Sequence, residues 1–205
     1  MRNSAAPHRG LDALSEVALT PQAQTMLDAA LATNAGSHSW KARKAIEARE
    51  IFGLAELAPR GRMIIQHLDL SAEIRLCAGL NVPTPCRTGD DVRIANHCVI
   101  GLVYPQDAVT QQTNGRALLE IIAPRNVFHP AVASLPSLPQ VMCLGTLPAA
   151  IRVTEILLNV YSGLAFQNVD LSAFDALGVM NADAMRYWQE AIARLPLTRK
   201  AFLEE

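Results

Sequence analysis

His97–Pro124, HCVIGLVYPQDAVTQQTNGRALLEIIAP, holds two strand-like runs with a single turn signal between them. The first, HCVIGLVYP (His97–Pro105), is strongly apolar and reads as a central strand. Asn114-Gly115 marks a turn, and ALLEIIAP (Ala117–Pro124) reads as the next strand. Upstream, RMIIQHL (Arg62–Leu68) and AEIRLCAGL (Ala72–Leu80) are two more short runs bounded by polar turns. The stretch NVPTPCRTGDD (Asn81–Asp91) reads as a loop on composition. No long helical segment separates any strand from the next. Parallel neighbours need a crossover, so the four runs predict an antiparallel meander.

Helical patterns flank this block. Residues 1 to about 18 are small and mixed, and are expected to be loosely ordered. Thr20-Pro21 reads as an N-cap followed by a first helical residue, with Ala23, Met26, Leu27, Ala30 and Leu31 at helical spacing up to Asn34 and Gly36. A second helix runs from Ser39 to about Leu57, with Ala42, Ala45, Ile46 and Phe52 as its apolar positions and Lys41, Arg43, Lys44 and Arg49 making it basic. After residue 150 the period changes: Val153, Ile156, Leu157, Val160, Tyr161 and Leu164 share one helical face. The polar stretch Phe166–Gly178 breaks that helix. Ala184, Trp188, Ala191, Ile192 and Leu195 give a last amphipathic helix from Asn181, interrupted at Pro196, and Leu197–Glu205 is expected to add a turn or two. The fold class is α+β, one sheet with helices packed on a face. Residues 1–38 form an N-terminal extension with one helix, and 39–205 form the main domain.

Half of the 205 residues are hydrophobic, enough for a sizeable core, and the net charge is -1. Such a balance gives no footprint for nucleic acid or an anionic membrane surface. No apolar run approaches a membrane span or a signal peptide, so a reducing cytoplasm is the expected location. Fifteen of the 18 basic residues are arginine; the lysines are Lys41, Lys44 and Lys200. The four cysteines form no CxxC pair, which argues against a structural zinc site or a disulfide framework. Cys77 and Cys98 lie in apolar strand runs and read as core; Cys86 reads as a loop thiol.

Cys143 differs in setting. It follows FHPAVASLPSLPQVM (Phe128–Met142), where Pro130, Pro136 and Pro139 forbid regular ladder bonding, and Pro148 lies just beyond it. A free cysteine is more often a buried apolar side chain. A fixed irregular loop, however, presents a side chain rather than packing it. With a reference pKa of about 8.5, a thiol there suits exchange of one thioester for another without a strong base. His129 is the nearest ionisable group. Either it completes a Cys-His dyad or it fastens its own loop by a hydrogen bond to backbone, and a His-Pro at a strand end favours the second. His67 is the other candidate partner. Asn168 and Asp170 follow the next helix; an acid there could orient an incoming lysine, and Asn and Asp are also ordinary turn residues.

The order of parts in NVFHPAV, VMCLGTLPAAIRVTEILLNVYSGLAFQNVD and NADAMRYWQEAI resembles the catalytic half of ubiquitin-conjugating enzymes. That family has a first helix, a four-stranded meander, a His-Pro-Asn motif, an active-site Cys-Leu, an apolar helix, an Asn-Pro-acid segment and a closing helix. The match in order covers about residues 40–200, and its motifs lie within 120–190. The resemblance implies a ubiquitin-conjugating (UBC) fold with an extra N-terminal helix and Cys143 as the thioester-forming residue. His129-Pro130 would be the motif's His-Pro, with Ile156, Leu157 and Leu158 behind the site and Asn168 and Asp170 in the loop gating it. Lys41, Arg43 and Lys44 would lie on the helix that docks the activating enzyme. The implied partners are a ubiquitin-like modifier, an activating-type enzyme and a protein target, with no metal and no cofactor.

The sequence departs from the family at several points. Ala131 stands where the motif has asparagine, SLPSLP (Ser134–Pro139) is inserted ahead of Cys143, and the tryptophan after the cysteine is missing. Such departures resemble divergent bacterial members encoded beside an activating enzyme, a ubiquitin-like protein and a deconjugase, often in antiviral defence operons. An inactive UBC-like binding module and a cysteine hydrolase are the alternative functions.

Overall fold

The computed structural model describes residues 11–115, 118–133, 139–169, 171 and 179–204. Four α-helices accompany an antiparallel five-stranded sheet in these residues: α1 (Pro21–Ala32), α2 (His38–Leu57), α3 (Val153–Leu164) and α4 (Ala182–Glu190). The strands are β1 (Met63–Asp69), β2 (Ile74–Leu80), β3 (Thr84–Thr88), β4 (Asp91–Ala95), β5 (Cys98–Tyr104), β6 (Thr113–Asn114), β7 (Leu119–Ala123), β8 (Gln140–Val141) and β9 (Thr146–Leu147). The large sheet has the order β1-β2-β5-β7-β8, with β3-β4 and β6-β9 as two small separate pairs.

The meander expected from the sequence is present. Ile74, Leu76, Ala78 and Leu80 of β2 face inward opposite Tyr104, Leu102, Ile100 and Cys98 of β5, all buried. This alternation fixes the register, because a slip of one residue would turn each inward side chain to solvent. Fully burying each large apolar member contributes about 1.5–3 kcal/mol. The stretch read as a loop is instead the β3-β4 hairpin, turned at Gly89 with φ +60°. Cys86 therefore sits on a strand, bridged to Val127. Cys98 is buried, but Cys77 is only half-buried on the outer sheet face, where its thiol donates to Gln66 Oε1 at 3.3 Å.

Both helix starts read from the sequence are formed. Thr20 accepts from the Ala23 amide to cap α1, and Asn181 Oδ1 accepts from the Ala184 amide at 3.0 Å to cap α4. The N-terminal segment is not loose from residue 11 onward. A 3-10 turn, Leu11–Glu16, carries Leu14 into the core, and a Cβ on Gly53 of α2 would lie 2.1 Å from the Leu14 carbonyl oxygen. Leu14, Leu27 and Ala30 share one core with the sheet and α3. Leu197–Glu204 adds no helix either. Phe202 folds back onto Tyr161 of α3, ring centroids 5.1 Å apart, and the Arg62 guanidinium donates to the Ala201 and Phe202 carbonyls.

The buried face of α2 differs from the one its apolar residues suggest. Ala42 is exposed and Ile46 is 55% exposed, while Lys44 and Glu47 are buried. Each buried charge has partners elsewhere in the chain. Lys44 Nζ donates to the carbonyls of Ala35, Leu70 and Ala72. Glu47 accepts the Val153 amide at 2.9 Å at the start of α3 and an ion pair from Arg43 at 2.5 Å. Burial pushes the Glu47 carboxyl pKa up against the pull of Val153 and Arg43. An acidic group at a helix N-terminus meets unpaired amides and the positive end of the dipole, so Glu47 sets the position of α3.

Candidate functional site

Cys143 lies just beyond β8, the strand at the opposite edge of the sheet from β1. Its loop is tied on both sides. Residues 131–133 run alongside it: the Cys143 amide donates to Ala131 O at 2.7 Å and the Ala133 amide to Val141 O at 2.8 Å. Gln140, buried and paired with Ile121 of β7, adds side-chain bonds across to Val127, so the segment after the prolines is laddered over Gln140–Val141 and not wholly irregular. Its side chain accepts the Val127 amide at 2.8 Å and donates to the Val127 carbonyl at 2.9 Å. Beyond the cysteine, Gly145 turns the chain at φ +73°, and the Gly115 amide donates to Gly145 O at 2.9 Å. A Cβ on Gly115 would come within 2.7 Å of Leu144 Cβ, so only glycine lets the two strands of backbone approach here. Met142 points into the core and Cys143 is half-buried.

His129 is fully buried. Its Nδ1 accepts the Ala131 amide at 3.0 Å, which puts the ring proton on Nε2. Desolvation pushes its pKa down to about 4, with the Gly163 backbone offsetting part of the shift. The imidazole is therefore neutral at pH 7 and is joined to Cys143 only through backbone, by way of Ala131. His67 is exposed on β1, at the far edge of the sheet. Four strand spacings separate those edges, about 19 Å.

The His-Pro-Ala turn is gripped from three directions. Pro130 O accepts the amides of Met180 at 2.8 Å and Asn181 at 3.1 Å, at the entrance to α4. Trp188 Nε1 donates to Phe128 O at 3.1 Å. Phe166 packs on His129 with ring centroids 4.2 Å apart and planes tilted by 52°, and meets Trp188 edge-on at 5.8 Å. Phe128, Phe166, Ala184 and Trp188 form a second small core beneath this turn. Phe166 reaches it from an unusual backbone, φ +60°. It occupies the C′ position of a Schellman motif closing α3: its amide donates to Gly163 O and the Gln167 amide to Ser162 O, both at 2.9 Å. Glycine is usual at that position, and left-handed backbone costs a residue with a Cβ about 1–2 kcal/mol.

Asn168 follows, exposed; its Oδ1 is 3.7 Å from where a Cβ on Gly163 would stand, the same spot that Met142 Cε fills at 2.3 Å. It therefore stands over the face of α3 that meets the residue preceding Cys143. Asp170 lies outside the described residues. Ile156, Leu157 and Leu158 are buried in α3. Of the three basic positions expected to meet a partner, Lys41 is exposed on α2. Arg43 is half-buried and donates to Ala150 O at 3.2 Å besides pairing with Glu47. Lys44 is sealed inside on its carbonyls, where burial pushes its pKa down against the pull of Asp69.

No family model, curated protein or solved structure matches the chain. No group of three or more His, Cys, Asp or Glu with metal-site geometry occurs among the described residues. No described helix is long and apolar enough to cross a membrane.

Sequence reasoning passed over Gln140 and Phe166, and read Trp188 only as an apolar position of the last helix. A lone glutamine between proline and valine, in an otherwise apolar stretch, was the signal for the first. A phenylalanine directly after an apolar helix, where glycine is the norm, was the signal for the second.

Proposed function

We propose that the protein is a ubiquitin-conjugating-type enzyme with Cys143 as its thioester-forming residue. One observation carries the reading: a half-buried cysteine is held by its own amide to Ala131 O, in a loop whose His-Pro turn is anchored to the helices that follow. A thiol fixed by backbone, with its sulfur free of any fastening role, suits repeated acylation and release. The element order adds support: a helix, an antiparallel meander, a His-Pro turn, the cysteine, an apolar helix and a closing helix.

In the proposed cycle the Cys143 thiolate attacks the carbonyl carbon of a modifier thioester. The new Sγ–C bond forms as the C–S bond to the donor cysteine breaks, and the donor leaves as thiolate. An amine nitrogen then attacks the same carbon; the C–Sγ bond breaks, Cys143 leaves as thiolate and the amine proton passes to a base. His129 is not that base, because it is buried, neutral and spent on Ala131. Its role is to shape the loop. Asn168 stands over α3's face against Met142, and Lys41 is the basic position left on the surface for an activating enzyme.

Ala131 in place of the family's asparagine favours a second reading, a binding module of the same architecture that performs no chemistry. A hydrolase finds less support, because neither His129 nor His67 is placed to activate Cys143. Incubation with the activating enzyme and modifier of its own host, with ATP, separates these. Conjugation predicts an adduct that free lysine discharges to modifier-lysine. A binding module forms no adduct. A hydrolase releases free modifier at the same rate with or without lysine.

A further inference from the structure

We propose that Phe166 is the positioning residue for Cys143. The path is short and continuous. The ring lies 4.2 Å from His129; His129 Nδ1 accepts the Ala131 amide; Ala131 O accepts the Cys143 amide at 2.7 Å. Each link fixes the next. The ring packed against the imidazole limits how it can turn, the imidazole sets the orientation of the Ala131 peptide, and that peptide sets the amide of the cysteine.

The backbone of Phe166 supports the assignment independently. A bulky side chain in left-handed conformation persists only where its surroundings hold it there. Here the Schellman hydrogen bonds of α3 hold the backbone, and Trp188 meets the ring edge-on. A glycine would close α3 at lower conformational cost, but it would leave His129 uncovered and its ring free to turn. The cap of α3 thus does two jobs: it ends the helix and it clamps the His-Pro-Ala turn. The proposal extends the reading of Cys143 as the acylated residue, although two of its three tests do not depend on that reading.

The test compares Phe166→Asn, which tolerates left-handed backbone but lacks the ring, with Phe166→Tyr, which keeps the ring. Phe166→Leu, with most of the apolar volume, carries the same comparison where Phe166→Asn does not fold. All are measured well below their melting temperatures. In Phe166→Asn, NMR titration of His129 moves up from about 4 toward its ordinary 6.5. Iodoacetamide alkylation of Cys143, read by peptide mass spectrometry, speeds up by about fivefold. Lysine discharge of the loaded protein loses about tenfold in kcat with KM for the amine unchanged. Phe166→Tyr stays within about twofold on the alkylation and discharge rates, and His129 still titrates low. Unchanged titration and alkylation in Phe166→Asn overturn the proposal. If the parent cannot be loaded with a modifier, the conjugation reading falls, and the titration and alkylation still decide for or against Phe166.

Discussion

Replacing His129 with asparagine will remove a pH dependence from the stability of the fold. In the native protein the imidazole is neutral down to about pH 4, whereas an unfolded chain protonates it near 6.5. Between those values the unfolded state binds the extra proton, so acid favours unfolding. The stabilisation is fully present above about pH 6.5 and is lost as pH falls toward 4. At about 1.4 kcal/mol per pH unit, the full window is worth up to about 3 kcal/mol. Asparagine does not titrate, and its side-chain oxygen can accept the Ala131 amide as Nδ1 does. Urea unfolding at pH 7.5, 6.0, 5.0 and 4.5, followed by tryptophan fluorescence, measures both proteins; Trp188 is buried against this turn and reports on it. Other groups with displaced pKa values, such as Glu47 and Asp69, are common to both and cancel in the difference. The parent will lose about 2–3 kcal/mol more than His129→Asn between pH 7.5 and pH 4.5. Parallel losses, with the difference constant within about 0.5 kcal/mol, refute a buried neutral His129.

Three further outcomes follow from the packing. Lys44→Met strands three carbonyls and will destabilise the fold by about 2 kcal/mol in urea unfolding, while Lys41→Met stays within about 0.5 kcal/mol; equal effects would contradict the different placements of the two lysines. Gly53→Ala pushes a Cβ into the Leu14 carbonyl and will cost about 1–3 kcal/mol, with earlier cleavage at Glu16 by a glutamate-specific protease; an unchanged protein would mean the 3-10 turn does not sit on α2. Cys98, fully buried with its thiol pushed up to about 12, will resist thiol reagents until the protein unfolds, whereas half-buried Cys77, Cys86 and Cys143 react in the native state.

The strands of the meander were legible because their inward residues alternate and nothing of helical period lies between them. The starts of α1 and α4 were legible because Thr20 and Asn181 cap through local side chains, and a cap is visible within four residues of sequence. The β3-β4 hairpin was not. Pro85, the threonines and Gly89 carry the composition of a loop, and what holds the hairpin lies about 40 residues on, where the Phe128 amide donates to Pro85 O at 2.7 Å. The buried face of α2 was hidden for a similar reason: the partners of Lys44 and Glu47 come from Leu70, Ala72 and Val153, and no periodicity encodes them. At the site, a His-Pro at a strand end already suggested a fastening histidine. Its partner Phe166 escaped notice because its role depends on a backbone conformation that its residue type seldom adopts.

The central claim is that Cys143 carries a modifier as a thioester, and one measurement addresses it directly. The parent, Cys143→Ala and Cys143→Ser are each incubated with the host's activating enzyme, modifier and ATP, then separated without and with dithiothreitol and mapped by peptide mass spectrometry. The account predicts an adduct on the Cys143 peptide of the parent that dithiothreitol removes, none with alanine, and an oxyester with serine that survives the reductant. No adduct on the parent, or an adduct that persists in Cys143→Ala, would contradict it.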